Sequence, residues 1–547
     1  MKKTTESFQV SGQIVDLRTK SIYRGTVTVS DGKIASITQD NNQEPYCILP
    51  GFIDSHVHIE SSMLIPSEFA RLAVIHGTVA TVSDPHEIAN VLGIEGVEYM
   101  IENGRQVPFH FYFGAPSCVP ATQFETAGAQ LGANEIEYLL KQDEIKYLAE
   151  MMNYPGVIFD DPEVHAKLNV AKKYGKPIDG HAPGLKGEQA KKYITAGIST
   201  DHECFTIDEA LEKIKYGMKI QIREGSAAKN FDELIGLMEN HADKVLFCSD
   251  DKHPDDLVKG HINLLVKRAV AAGYDPISVL HSCIINPIDH YNLKIGLLQQ
   301  GDNADFIVVD NLKDFNVLKT YINGMKVAEN GQSFITSVEA STPNKFEANP
   351  IVIEDIQLKY NNKPVRIIEA LEGQLITRTI IDTPSTKNGY IINDTERDYL
   401  KLVVVNRYQT AKPAVALIKN FGLKRGAIAS TVAHDSHNII AVGADDHAIA
   451  KAINSLIASK GGIVAVSQQE TKLLPLPVAG LMTTENGYEV AAKYEEINTV
   501  VKQNGGTLHA PFMTLSFMAL LVIPQLKLSD KGLFDGEQFA FTSLDVS

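Results

Sequence analysis

A chain of 547 residues is expected to hold three to four domains at ~150 residues each, or fewer where one is a barrel. Its 44% hydrophobic and 22% charged residues exclude wholesale disorder. The 51 basic against 67 acidic side chains leave −16, a field that argues against nucleic acid as a main partner. Five scattered cysteines exclude a disulfide framework, the opening MKKTTESFQV lacks the apolar stretch of a secretory signal, and the apolar run 510–523 is too short to span a bilayer, so a cytoplasmic protein without membrane contact is expected.

The first fifty residues alternate apolar and polar positions, with a hairpin signal at Asp31-Gly32. The same texture returns at ADFIVVD (304–310) and VLKTYINGMKVAENG (317–331), with a turn at Asn323-Gly324. Strands at both flanks of a central unit predict one small β domain built from residues 1–50 and 298–340. Between them the period switches repeatedly. GFIDSHVHIE, TVATVSDP, FHFYFGAP, IKYLAEMMN, PIDGHAP, STDHEC, KIQIREGS and KVLFCSDD read as strands, each followed by a helical stretch. The stretches 86–104, 231–243 and 254–273 each read as one continuous helix. Eight strand–helix pairs over 51–297 predict an α/β fold, a closed (β/α)8 TIM barrel whose reacting groups sit at the carboxyl ends of its strands. The polar, proline-bearing stretch 341–350 reads as a linker, and 345–547 reads as a C-terminal α+β domain.

Candidate chemistry begins with Asp54-Ser55-His56-Val57-His58. Residues two apart on a strand face one side, so His56 and His58 can both project into a barrel mouth, where paired imidazoles suit a divalent metal. Later strands end in further ligand-type residues: Glu150 on the fourth, His181 on the fifth, His202 on the sixth and Asp250 on the eighth. Four imidazoles and two carboxylates can hold two divalent ions, with one carboxylate between them.

The strings LPGFIDSHVHIE and GDNADFIVVD resemble the amidohydrolase superfamily. TVSDPHEIANVLG, MMNYPGVI, IDGHAPGL, TDHEC, REGS and FCSDDKHPDDL, together with LPLPVAGLMT and FMTLSFMALLVIPQLKL near the end, resemble its adenine deaminase family over nearly the whole chain. The resemblance implies hydrolytic deamination of adenine to hypoxanthine and ammonia, an aminohydrolase activity of purine salvage, by a metal-activated hydroxide attacking C6. It implies two divalent ions, manganese or ferrous iron, with zinc also compatible. His56 and His58 would ligate one ion and His181 and His202 the other. Glu150 would bridge where many superfamily members use a carbamylated lysine; the nearest lysine on this strand, Lys146, lies away from the mouth. Asp250 would bind metal and shuttle protons. Asp84 and Glu87 would protonate N1 or read the purine edge, and a homo-oligomer, taken as a dimer, is expected.

Bland roles stand beside these. Asp84 and Glu87 also suit the cap and first turn of the helix that follows. Arg223, a candidate substrate contact at the end of strand seven, equally suits an internal ion pair. His86 is a further ligand candidate, and Cys204 and Cys248 read as strand packers. In the second domain His434 and His437 offer an auxiliary metal site or a lid, though such a pair in a loop is more often a surface or hydrogen-bonded feature. Two other functions fit the barrel: a metal-dependent amide or cyclic-imide hydrolase, and a catalytically silent metal- or ligand-binding barrel.

Overall fold

The computed structural model describes residues 7–546. Strands from both flanks share one eight-stranded sheet. Phe8–Asp16, Ser21–Ser30, Lys33–Gln39 and Cys47–Pro50 come from the N-terminal side, and Phe306–Val309, Val317–Ile322, Met325–Glu329 and Gln332–Ser333 from the far side. The join is the antiparallel pairing of Phe306–Val309 with Cys47–Pro50. Asp31-Gly32 and Asn323-Gly324 both turn with positive φ at each residue, as tight hairpins require.

Eight parallel strands follow, in a curled set of five and a set of three. The five are Phe52–Val57, Thr78–Ser83, His110–Ala115, Ile145–Met151 and Ile178–Gly180; the three are Thr200–Asp201, Lys219–Arg223 and Val245–Cys248. On one side a parallel bridge between Val57 and Asp250 joins the sets, with Asp250 N donating to His56 O at 2.9 Å. On the other side Ser199 N donates to Ile178 O at 2.9 Å. Intervening helices cover the barrel, and its strands are almost wholly buried, as parallel strands are.

Several helices are interrupted at glycine or shortened. The stretch 86–104 is two helices, His86–Leu92 and Ile94–Gly104, broken where Gly93 takes φ 66°. The stretch 254–273 is likewise Pro254–Lys259 and Ile262–Ala271, interrupted at Gly260. Residues 231–243 form short α and 3-10 turns rather than one helix, and the fourth barrel strand ends at Met151.

The C-terminal region is built on a second eight-stranded sheet, from Val365–Ala370 to Thr471–Pro475. Its two faces bury different neighbours, as a period of two dictates. Val403, Val405, Ala429, Ala441 and Val464 pack under the helix Asp446–Ser459, whereas Leu402, Val404, Ile428, Ile440 and Ala465 join the core that also contains the barrel. Residues 341–350 adopt no regular structure but are pinned, with Glu347 N donating to Arg407 O at 2.7 Å. Among the described residues no helix is long and apolar enough to cross a membrane.

Candidate active site

The carboxyl ends of the barrel strands bring His56, His58, Glu150, His181, His202 and Asp250 together, all buried. Nε2 of His56 and His58 lie 3.2 Å apart, their rings projecting from one strand end as alternation requires. Glu150 stands between two groups of imidazoles. Its Oε1 is 3.3 Å from His58 Nε2, and its Oε2 is 2.9 Å from His181 Nδ1 and 3.2 Å from His202 Nε2. Asp250 Oδ1 lies 3.5 Å from His56 Nε2 and 3.3 Å from His58 Nε2. Asp250 takes φ 54°, which breaks the period of two, so that Asp250 and the next residue, Asp251, both line the cavity.

Burial works against charge on Glu150, yet His181 and His202 hold its carboxyl well below the usual range. Burial also opposes charge on Asp250, where Arg223 and the His56 and His58 imidazoles hold the carboxyl down. Arg223 Nη1 donates to Asp250 Oδ2 at 2.6 Å and its Nη2 to Glu203 Oε2 at 2.8 Å. The guanidinium is thus committed to an internal carboxylate pair at the rim. Ser249 turns away from the mouth and donates through both its N–H and its hydroxyl to Asp54, which also meets His261 Nε2 at 2.8 Å.

The donor set fits a divalent cation. The atoms of His58, Asp84, His86 and Glu150 converge within 4.8 Å of one another, as do those of His56, His58 and Asp250, and of His56, Glu150 and His202. His86 Nδ1 stands 3.1 Å from Asp84 Oδ2 and 3.4 Å from Glu150 Oε1, yet neither of its ring nitrogens has an aligned hydrogen-bond partner. Buried imidazole nitrogens left without partners among carboxylates are costly unless a cation gathers them. Mixed nitrogen and oxygen donors suit first-row divalent metals.

Asp84 does not cap the helix, whose N-cap is Pro85; it lies one residue earlier and accepts from His86 N at 3.1 Å, while its carbonyl meets His58 Nδ1 at 3.1 Å. Glu87 lies in the first turn of that helix, fully buried directly behind the cavity wall formed by Asp251 and His434. The second-domain histidines are not surface residues. The loop between Ala427–Ser430 and Ile439–Gly443 dips into the barrel mouth, and His434, Asp435 and His437 are all buried there. His434 Nε2 is 2.7 Å from Glu87 Oε1 and 3.4 Å from Asp251 Oδ1, and His437 Nε2 is 3.4 Å from Glu87 Oε2. Leu375, Phe517 and Leu520 complete an apolar roof over the histidines. Sequence reasoning missed Glu203 and Asp251, while Asp435 falls within the His434–His437 cluster it did single out. Glu203 and Asp251 directly follow the strand-end ligands His202 and Asp250, and that adjacency is the one signal that points to them. Cys248 is buried at the end of its strand, whereas Cys204 is buried in the loop beyond Thr200–Asp201 and not in a strand.

The Amidohydrolase family matches residues 47–327, the stretch that holds the parallel barrel and its strand-end donors. The Adenine deaminase C-terminal domain matches residues 374–540. An adenine deaminase of Salinibacter ruber is 55% identical over 537 residues, 98% of each chain, and one of Sulfurovum sp. is 56% identical over 535 residues, 97% of this chain and 99% of its own. The chain belongs to the adenine deaminase family of the amidohydrolases. Among solved structures, a β-aspartyl dipeptidase from Fervidobacterium islandicum AW-1 aligns with 60% of this chain and 98% of its own, at 16% identity and a TM-score of 0.46.

Proposed function

We propose that the chain is a hydrolase that converts adenine to hypoxanthine and ammonia at the carboxyl end of its barrel. The observation that carries this reading is the division of Glu150, one oxygen toward His58 and the other toward His181 and His202. That division supports two divalent ions with Glu150 between them. His56 and His58 would hold one ion and His181 and His202 the other, with Asp250 beside the first. Manganese and ferrous iron suit these donors, and zinc is compatible. When bound, such ions supply a water that ionises near neutral pH.

The residues of the chain do the rest. Asp250, held ionised by Arg223, accepts a proton on Oδ1 and returns it to N6, because an aromatic amine leaves poorly unless protonated. Arg223 positions Asp250 rather than touching the purine. Asp84 stands 3.1 Å from His86 and Glu87 2.7 Å from His434, and both of those histidines line the cavity, so each carboxyl reaches it through one imidazole. Glu87 and His434, 2.7 Å apart, share the proton that N1 gains and recover one when the C6 hydroxyl becomes a carbonyl. Buried walls and the roof of Leu375, Phe517 and Leu520 exclude bulk water, which strengthens each charged contact.

An amide or imide hydrolase on this barrel has no need to protonate a purine nitrogen, so the test is substitution of Glu87. Glu87→Gln is expected to lower adenine turnover at least ~100-fold while bound metal stays unchanged. Full turnover in that variant would remove Glu87 from the mechanism and favour the hydrolase alternative.

A further inference from the structure

We infer that the C-terminal domain supplies a positioning residue to the active site: His434, standing between the Glu87 carboxylate and the cavity, fixes that carboxylate at the cavity wall. The inference rests on the role given to Glu87 above.

The geometry is unusual for a second domain. His434 and Asp435 belong to a loop more than 300 residues downstream of Glu87, yet they line the cavity in the barrel mouth. Glu87 and Asp251 are two buried carboxylates brought to one spot, with Glu60 close behind. Such carboxylates repel each other unless something of opposite polarity stands between them. His434 Nε2 touches both, at 2.7 Å and 3.4 Å. Its own ring is anchored from behind, with Nδ1 at 2.5 Å from Ser516 Oγ and Phe517 packed 5.0 Å away between centroids. A carboxylate gripped by an anchored imidazole cannot rotate away from its target.

A cation held by Glu87, Asp251 and His434 is the competing reading, because their ligand atoms also converge. The neighbouring histidine leans on the same carboxylate. Ala433 N donates to His437 Nδ1 at 3.3 Å, which places the proton of a neutral ring on Nε2. That Nε2 stands 3.4 Å from Glu87 Oε2 without an aligned hydrogen bond, so metal per chain separates the grip from a bound cation.

The test is a double-mutant cycle on the metal-loaded enzyme, with His434→Ala and His434→Gln each made alone and with Glu87→Gln. The readouts are kcat and KM for adenine, metal per chain and thermal unfolding. His434→Ala is expected to lower kcat/KM about 10- to 100-fold, mostly in kcat, with metal content unchanged. His434→Gln keeps a donor near the Nε2 position and should recover about tenfold of that loss. On the Glu87→Gln background His434→Ala should cost no more than about twofold, the mark of one residue acting through the other. Independent, multiplying losses would overturn the inference, as would the disappearance of a metal ion from the His434→Ala protein. If Glu87→Gln alone is silent while His434→Ala is not, the reading of Glu87 fails and this inference fails with it. If the alanine variant does not fold, the glutamine variant on both backgrounds carries the same comparison.

Discussion

Asp250 owes its reach to one backbone angle. At φ 54° it leaves the strand geometry, gives its N–H to His56 O and points its carboxylate at His56, His58 and Arg223. Asp250→Asn keeps the shape and removes the group that takes a proton, so adenine turnover is expected to fall by ~100-fold or more with the melting temperature little changed; undiminished turnover in a purified Asn variant would contradict its role. His76 offers a separate test, far from the chemistry. Burial pushes its imidazole down to about 4, and its Nε2 lies 2.9 Å from Leu257 O. The unfolded chain titrates near 6.5, so between pH ~6.5 and ~4 it binds a proton that the native protein refuses. Stability from this group is therefore complete above pH ~6.5 and is lost as pH falls, by up to about 3 kcal/mol. Denaturant unfolding of wild type and His76→Gln should show a shallower acid-side slope in the variant, and parallel slopes would refute this assignment.

At the scale of elements, the site depends on strand ends being held in register. Tyr193, on the helix Gly187–Thr195, does this for two of them: its hydroxyl donates to Met151 O at 2.7 Å and accepts from His181 N at 3.0 Å. Tyr193→Phe strands a buried N–H beside a ligand residue, so a loss of about 1–3 kcal/mol in stability and weaker metal retention are expected. Metal analysis after brief chelation reads the second effect, and unchanged retention would mean that the link is only structural. Strand-end chemistry of this kind is legible in a sequence because periods of 2 and 3.6 are local. His56, His58, Glu150 and Asp250 each close a recognisable apolar run, whereas His181 and His202 follow the shorter, more polar strings PIDG and ISTD. The helix break at Gly93 is less legible, since a glycine inside a helical pattern does not announce whether its φ will change sign, and at Gly260 the backbone simply extends. Asp251 escapes for a different reason: strict alternation turns it outward, and only the left-handed Asp250 turns it back.

On the scale of the whole molecule, the barrel and the C-terminal sheet share a core. One face of that sheet and the helices Gly487–Gln503 and Pro511–Phe517 bury residues such as Leu402, Val490, Tyr494 and Phe512 in the same cluster as the barrel. His253 Nδ1 and the Tyr494 hydroxyl meet across this interface at 2.6 Å. Burial on this scale couples the two parts, so calorimetry is expected to show them melting in one transition, raised by bound metal; two well-separated transitions would contradict the shared core. This coupling also explains why the place of His434 could not be read from its neighbours in sequence. A histidine pair in a polar loop is defined by what packs against it, and here that surface lies in another part of the chain. The cavity that results is lined by both parts: His58, Glu150, His181, His202 and Asp250 from the barrel, and His434, Asp435, Phe517 and Leu520 from beyond it.

Stripping the protein of metal and titrating manganese or ferrous iron back, while following adenine by absorbance and ammonia by a coupled assay, tests the central claim most directly. The account predicts no turnover without metal, and activity that rises to a plateau at two ions per chain, with hypoxanthine and ammonia formed in equal amounts. Adenine turnover that persists in the metal-free protein, or full metal loading with no turnover, would contradict it.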